Sequence, residues 1–323
     1  ATGCDQEGLT LPVAEYANPA EGKSVTGGVV YRGAAIPSLV GTYLFADYSY
    51  GTLWGLTPGE EEDTWTRTLL LETGAYVSSF GTDSEGEVYL LDWWSGSVFR
   101  LVPNDPGAVG APSWPAQLSD TGCFSDLGSW ELAQGVYPYE VNAPLWADGA
   151  AKERAFSLPT NGTITYTDTG SWELPVGTVL LKTFVRPGGQ DALETRVMVR
   201  HPDRWRGATY LWDDDGGDAE LMNTGADEDL GDQVWHYPSR AECRACHTEA
   251  SGEVLGWSTS QLSRWADMGM NGAPVHQVEA LRRAGVLEGA PDDSESLSRF
   301  PELTDTTASV QARARAYLHS NCA

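Results

Sequence analysis

Short runs that mix apolar and polar positions with a period of two fill the first hundred residues. "SVTGGVVYRG" (24–33), "TYLFAD" (42–47), "TLWGLT" (52–57), "TWTRTLLL" (64–71), "SSFGTD" (78–83), "EVYLLD" (87–92) and "SVFRLV" (97–102) are rich in β-branched and aromatic side chains. Each is bounded by Gly, Asp or Pro, as half-buried strands are. "SEG" (84–86) and "WSG" (94–96) supply tight turns. Antiparallel strands at this rhythm predict propeller blades of about four strands each. The stretch therefore predicts a partial β-propeller over 1–106, a little under two blades, with further blades expected upstream.

A Pro/Gly-rich stretch, "NDPGAVGAPSWP" (104–115), predicts a linker. Strand patterns resume at "TITYTD" (163–168), "TVLLKTFV" (178–185), "ETRVMVR" (194–200) and "ATYLW" (208–212). They predict a β-sandwich-like domain over 107–240. "VYPYEVNAPLWADGAAKER" (136–154) lacks a clear period and is expected to be a long loop; its Asp148, Lys152, Glu153 and Arg154 are expected to form a surface ion-pair set. From 241 the period changes to that of a helix. "STSQLSRWADM" (258–268) places Leu262, Trp265 and Ala266 on one face, "PVHQVEALRRAGV" (274–286) aligns Val275, Val278 and Leu281, and "TASVQARARAYLHSN" (307–321) aligns Val310, Ala314, Tyr317 and Leu318. A small helical domain is expected over 241–323. The fold class expected is mainly β with a small α domain.

Charge narrows the partners. Twenty Lys and Arg stand against 46 Asp and Glu, a net charge of −26. Such a surface repels nucleic acid and favours cationic partners. The acids gather in "GEEEDTW" (59–65), "DDDGGDAE" (213–220) and "GADEDLGD" (225–232), which are expected to be solvated loops. No apolar run is long enough to span a bilayer. The chain opens on Ala rather than Met and shows no signal segment, so a processed or truncated chain is expected.

The strongest chemical signal is "SRAECRACHTEA" (239–250), which holds the chain's one CxxC and a His directly after it. Zinc would need further ligands at regular spacing, and no second pair follows. A thioredoxin-like redox pair belongs at the start of a helix in an α/β unit and would leave His247 idle. A haem c site uses all three residues: Cys243 and Cys246 as thioethers to the porphyrin and His247 as proximal ligand to the iron. Met268 and Met270, on or after the next predicted helix, are candidate sixth ligands, with His276 a third. Cys4 and Cys123 could pair in an oxidising compartment.

Residues 115–323 resemble a family of bacterial di-haem c-type cytochromes of unassigned reaction. The segments that carry the resemblance are "LSDTGCFSD" (118–126), "YPYEVNAPLWADGAAKER" (137–154), "WELPVGTVLLKTF" (172–184), "ETRVMVR" (194–200), "YPSRAECRACH" (237–247), "VLGWSTSQLSR" (254–264) and "RARAYLHSNCA" (313–323). The resemblance implies a periplasmic or otherwise extracytoplasmic electron carrier with two covalent haems and redox proteins as partners. Cys322 would be the first cysteine of a second CxxCH. Residues 24–56 and 77–101 resemble the end of a glucose/sorbosone dehydrogenase-type propeller. Active members of that group oxidise sugars with pyrroloquinoline quinone (PQQ) and a His base. No His precedes His201 here, so any PQQ chemistry would depend on sequence upstream. Two functions follow: a c-type cytochrome that transfers electrons, or a piece of a quinohaemoprotein dehydrogenase whose catalytic residues lie upstream.

Overall fold

A computed structural model describes residues 8–18, 21–61, 64–103, 114–189, 191–202, 204–222, 225–231, 233–243, 246–248, 252–269 and 273–322. The chain is mainly β; among the described residues its sheets are open and, apart from one two-stranded parallel pair, antiparallel. It divides into two compact units, Ala1–Pro112 with Asn223–Glu242, and Ser113–Met222 with Cys243–Ala323. These units cut across the three regions that composition alone marks out.

In the first unit, β1 (Val25–Val30), β2 (Tyr43–Asp47), β3 (Thr52–Pro58) and β4 (Trp65–Glu72) form a four-stranded sheet in sequential order. A three-stranded sheet follows, made of β5 (Val77–Thr82), β6 (Val88–Asp92) and β7 (Val98–Arg100). Tyr31, Leu44, Ala46, Leu53, Val77, Val88 and Leu90 form its main buried cluster. The two sheets repeat one device. β2 and β6 each end on a buried Asp, Asp47 and Asp92, and each turn closes on a Gly with positive φ, Gly51 at 70° and Gly96 at 66°. The Gly N–H donates to the Asp carbonyl in both, at 3.1 and 3.0 Å. The Asp carboxylates then take up loop N–H groups, Lys23, Ser24 and Tyr50 for Asp47, Tyr76 and Trp94 for Asp92. A buried carboxylate is tolerable because those donors replace water.

The second unit is built on a six-stranded antiparallel sheet. Its approach carries a small ladder, β8 (Phe124–Asp126) with β9 (Glu131–Leu132). The sheet contains β10 (Val136–Pro138), β11 (Ala151–Ser157), β13 (Val179–Val185), β14 (Ala192–Arg200), β15 (Trp205–Trp212) and β16 (Ala219–Leu221), in that order; β12 (Ile164–Thr165) lies outside it. Alternation along the strands gives it two faces. One presents the row Ala155, Leu181, Val197 and Ala208, buried with Leu118, Cys123 and Leu127. The other presents Phe156 and Leu180, buried with Val254, Trp257, Leu262, Val278 and Leu281. The expected sandwich would need a second large sheet. The layers covering this sheet are instead irregular segments, the β8–β9 ladder and short helices.

The acidic run "GADEDLGD" forms one strand of a hairpin in the first unit: β17 (Ala226–Asp229) pairs with β18 (Val234–Tyr237). A short helix, α1 (Arg240–Cys243), follows. Ser239 and Glu242 close it as a capping box. The Ser239 hydroxyl accepts from Glu242 N–H at 3.3 Å and the Glu242 carboxylate accepts from Ser239 N–H at 2.9 Å. His236 stands 3.2 Å from Glu242 and 2.6 Å from Asp227. Burial alone would raise the Glu242 carboxyl, but His236 and the Ser239 N–H hold it at about 2.

The remaining helices are shorter than periodicity predicts. α2 (Thr259–Leu262) stops at Ser263, and β19 (Trp265–Ala266) pairs with β20 (Val275–His276) instead of extending it. Leu262 and Ala266 are buried as expected, whereas Trp265 is exposed. α3 (Gln277–Arg283) buries Val278 and Leu281. β21 (Leu287–Glu288) then pairs in parallel with β12. α4 (Val310–Cys322) forms where predicted, but Val310, Tyr317 and Leu318 face solvent and Ala316 is its buried residue. The helices thus cover the sheet of the second unit, within the same compact body, and do not stand apart as a helical domain.

Candidate functional site

The CxxCH motif emerges from α1. Cys243 is its last residue, and the His247 N–H donates to the Cys243 carbonyl at 3.2 Å, so one further helical turn joins them. Arg244 and Ala245 lie outside the described residues. Cys243, Cys246 and Cys322 all carry unbridged thiols. Cys243 is half-buried and Cys246 is exposed. Cys243 sits above the sheet at Gly207. A Cβ built on Gly207 would lie 3.8 Å from Cys243 Sγ and 3.7 Å from Met198 Cγ. Those are ordinary van der Waals distances, so a methyl group would fit there and a larger side chain would meet the sulfur.

His247 is fixed by the backbone. Its Nδ1 lies 2.8 Å from the Glu253 carbonyl oxygen. A carbonyl only accepts, so Nδ1 carries the proton and Nε2 presents its lone pair. Glu253 holds this carbonyl in place from a left-handed conformation, φ 60°, that a non-glycine residue adopts only where its surroundings impose it. Burial first, and then the Lys182 and Arg196 cations, together bring the His247 imidazole down to about 4. The ring is therefore neutral at physiological pH, the state a metal ligand requires.

Beside the motif lies a cavity of about 560 Å³, lined among others by Arg154, Lys182, Val254, Leu255, Phe300 and His319. Its walls bring together segments far apart in the sequence. Asn142 donates to the carbonyls of Ser260 and Ser263, at 2.9 and 3.2 Å. Gln277 binds both backbone groups of Glu140, at 2.8 and 2.9 Å. Gln261 and Ser320 both donate to the Ala143 carbonyl, at 2.9 and 2.7 Å, and Trp146 N–H donates to Asn321 Oδ1 at 2.7 Å. The stretch expected to be a loop over 136–154 is thus partly strand and otherwise pinned. The last turn of α4, which carries Cys322, docks on it. His319 and Ser320 of that turn line the cavity, and the His319 ring lies 4.9 Å from Phe300.

Other expected site residues fall elsewhere. Met268 is 3 % exposed, packed in the core with Leu281, and lines a different, apolar cavity of about 660 Å³. Met270 and Cys4 lie outside the described residues. Cys123 is a buried free thiol, raised by its burial. His276 is buried against Trp265, 6.1 Å between ring centroids. Met198, on a strand, is the methionine that meets Cys243 at Gly207.

Lys152 and Arg154 do not form the expected surface ion pairs. Both lie on β11 and are half-buried, with Lys152 Nζ donating to the Leu145 and Ala150 carbonyls at 2.9 and 3.3 Å. Sequence reading missed their role. The available signal was the two basic residues at alternating positions in "AKER" and the single Lys182 within the apolar run "LLKTF", in an acidic chain. Among the described residues, no group of three or more His, Cys, Asp or Glu converges as a metal-binding cluster. No family model matches the chain.

Proposed function

We propose that the second unit is a c-type cytochrome module that holds haem covalently and passes electrons singly. The observation that carries this reading is the His247 imidazole, held neutral with Nδ1 committed to the Glu253 carbonyl and Nε2 free. That backbone contact sets ring orientation and ligand basicity in the way partners beyond the ligand shell do at metal sites. Cys243 and Cys246, both unbridged, supply the two thioether sulfurs. Haem bound there would supply one-electron exchange at its iron. Gly207 puts no side chain beside Cys243, and Val254 and Leu255 give the cavity an apolar wall, Val254 packing with Phe156 and Leu180 of the sheet.

In this reading Cys322 opens a second haem motif at the end of α4, whose His319 and Ser320 line the cavity. The paired sheets of the first unit, with their repeated Asp-to-Gly turns, are propeller-type blades serving as scaffold. A chain of net charge −26 would draw cationic redox partners to it. Covalent haem c, if attached here, would fit a protein that works outside the cytoplasm of a bacterium. The test is expression with a c-type maturation system, followed by the alkaline pyridine spectrum of the reduced protein. The α-band of a two-thioether haem is expected. A folded protein that incorporates no haem, or stoichiometric zinc in its place, would overturn the reading.

A further inference from the structure

The sheet face beneath the CxxCH motif carries an arrangement that packing alone does not account for. Register places Arg154, Lys182, Arg196 and Thr209 side by side on β11, β13, β14 and β15. Three cations are therefore direct cross-strand neighbours, and like charges so placed repel. Lys152 belongs to the next row on the same face, so four of the chain's 20 basic residues gather here. Partial relief comes from Glu194, whose carboxylate binds Arg196 with Nε at 3.0 Å, and from Phe184, whose ring lies 4.3 Å from the Arg196 guanidinium. Arg154 gives one N–H to the Lys152 carbonyl at 3.2 Å and feels Glu153 and Glu140 at longer range. The Lys182 ammonium makes no hydrogen bond or ion pair with an Asp or Glu among the described residues, and feels Cys246 at longer range.

Both Arg154 and Lys182 line the 560 Å³ cavity. The row next to theirs on the same face is Phe156, Leu180, Met198 and Gly207, and Gly207 is where Cys243 sits. The cations thus border the space that a group tethered at Cys243 would enter. A chain that is otherwise strongly acidic has gathered four basic side chains on the sheet face that carries Gly207 beside Cys243, and two of them, Arg154 and Lys182, line the cavity. Cations placed side by side in this way suit an anionic group.

We propose that the Arg154–Lys182–Arg196 row is a carboxylate-binding platform that holds the propionates of the haem tethered at Cys243 and Cys246. This rests on the haem reading above and assigns the residues that orient the porphyrin edge. Arg154 and Lys182 donate to the carboxylates, and Arg196, already engaged by Glu194, adds charge from beside them. Haem chemistry brings two carboxylates per ring, and charge-assisted contacts to them are the strong kind of hydrogen bond.

The test compares the mature protein with Lys182→Met, Lys182→Arg and Arg154→Gln. Covalent haem on a denaturing gel is scored first, because it separates this inference from the reading beneath it. The readout is the propionate-bending band in the low-frequency resonance Raman spectrum, together with the midpoint potential. Loss of a donor is expected to move the band to lower frequency in Lys182→Met and Arg154→Gln, and to lower the potential because a cation near the iron is gone. Lys182→Arg is expected to restore both. Covalent haem in every variant with band and potential unmoved would overturn the platform while leaving the haem reading intact. A wild type without covalent haem would overturn both. Should Lys182→Met fail to accumulate, Arg154→Gln decides alone.

Discussion

Lys182 provides the sharpest stability prediction. Burial takes its ammonium from the usual 10.5 down to about 7, and Arg154, Arg196 and Lys152 add to the drop. At about 1.36 kcal/mol for each factor of ten in proton affinity, the full drop corresponds to roughly 4.8 kcal/mol. The side chain is only half-buried, so solvent screening reduces that to roughly 2 kcal/mol. The sign follows from the direction. The unfolded chain holds the proton more tightly than the folded one, so the penalty is absent above pH 10.5 and complete below about 7. Lys182→Met is therefore expected to stabilise the haem-free protein by about 2 kcal/mol near pH 6, with the gain fading as pH rises toward 10.5. Urea titrations followed by Trp fluorescence, at several pH values and with equal slopes, measure it. A variant that is less stable at pH 6, or whose gain does not change with pH, would refute the reasoning. The same substitution that steadies the empty protein is expected to weaken the hold on its anion.

Three further outcomes follow from packing and capping. Gly207→Ala places its Cβ in ordinary contact with Cys243 Sγ and keeps covalent haem, whereas Gly207→Leu is expected to lower haem incorporation severalfold, read from haem-to-protein absorbance. Glu242→Gln removes a carboxylate held at about 2, and is expected to lose about 2–3 kcal/mol at pH 5–6. Wild-type stability should fall as pH drops from 4.5 toward 2, a slope that the variant lacks in denaturation curves. Trp257 is 1 % exposed and lies 5.0 Å from both Tyr139 and Phe156, so Trp257→Ala is expected to cost about 3–5 kcal/mol by the same titration.

The strands of the first unit were readable because they are short runs of β-branched and aromatic residues set off by Gly, Asp or Pro, with β2, β3 and β6 carrying most of the buried positions. Seven predicted runs became β1 to β7 with ends shifted by a few residues. The same holds for β13 to β15, whose Leu180, Leu181, Val197 and Tyr210 announce a buried sheet. β11 was unreadable because in "AKERAFS" the face that carries Phe156 also carries Lys152 and Arg154, so charge interrupts the apolar alternation of a strand, and Arg154 lines the cavity. α2 was overpredicted because Trp265 and Ala266 find cross-strand partners in His276 and Val275, and tertiary pairing overrides helical period. The hairpin over 226–237 hides in acids, with Asp227 and Glu228 held by His236 and Tyr237. The CxxCH motif was legible at once. Glu253, which orients His247, was not, because a backbone carbonyl leaves no mark on the side-chain sequence.

The most direct measurement is the intact mass of the denatured protein after expression with a c-type maturation system, alongside Cys243→Ala/Cys246→Ala. The haem reading predicts that wild type retains the mass of haem through denaturation, and that the double variant loses the haem attached at this motif. A folded wild-type protein whose denatured mass is that of the polypeptide alone would contradict it.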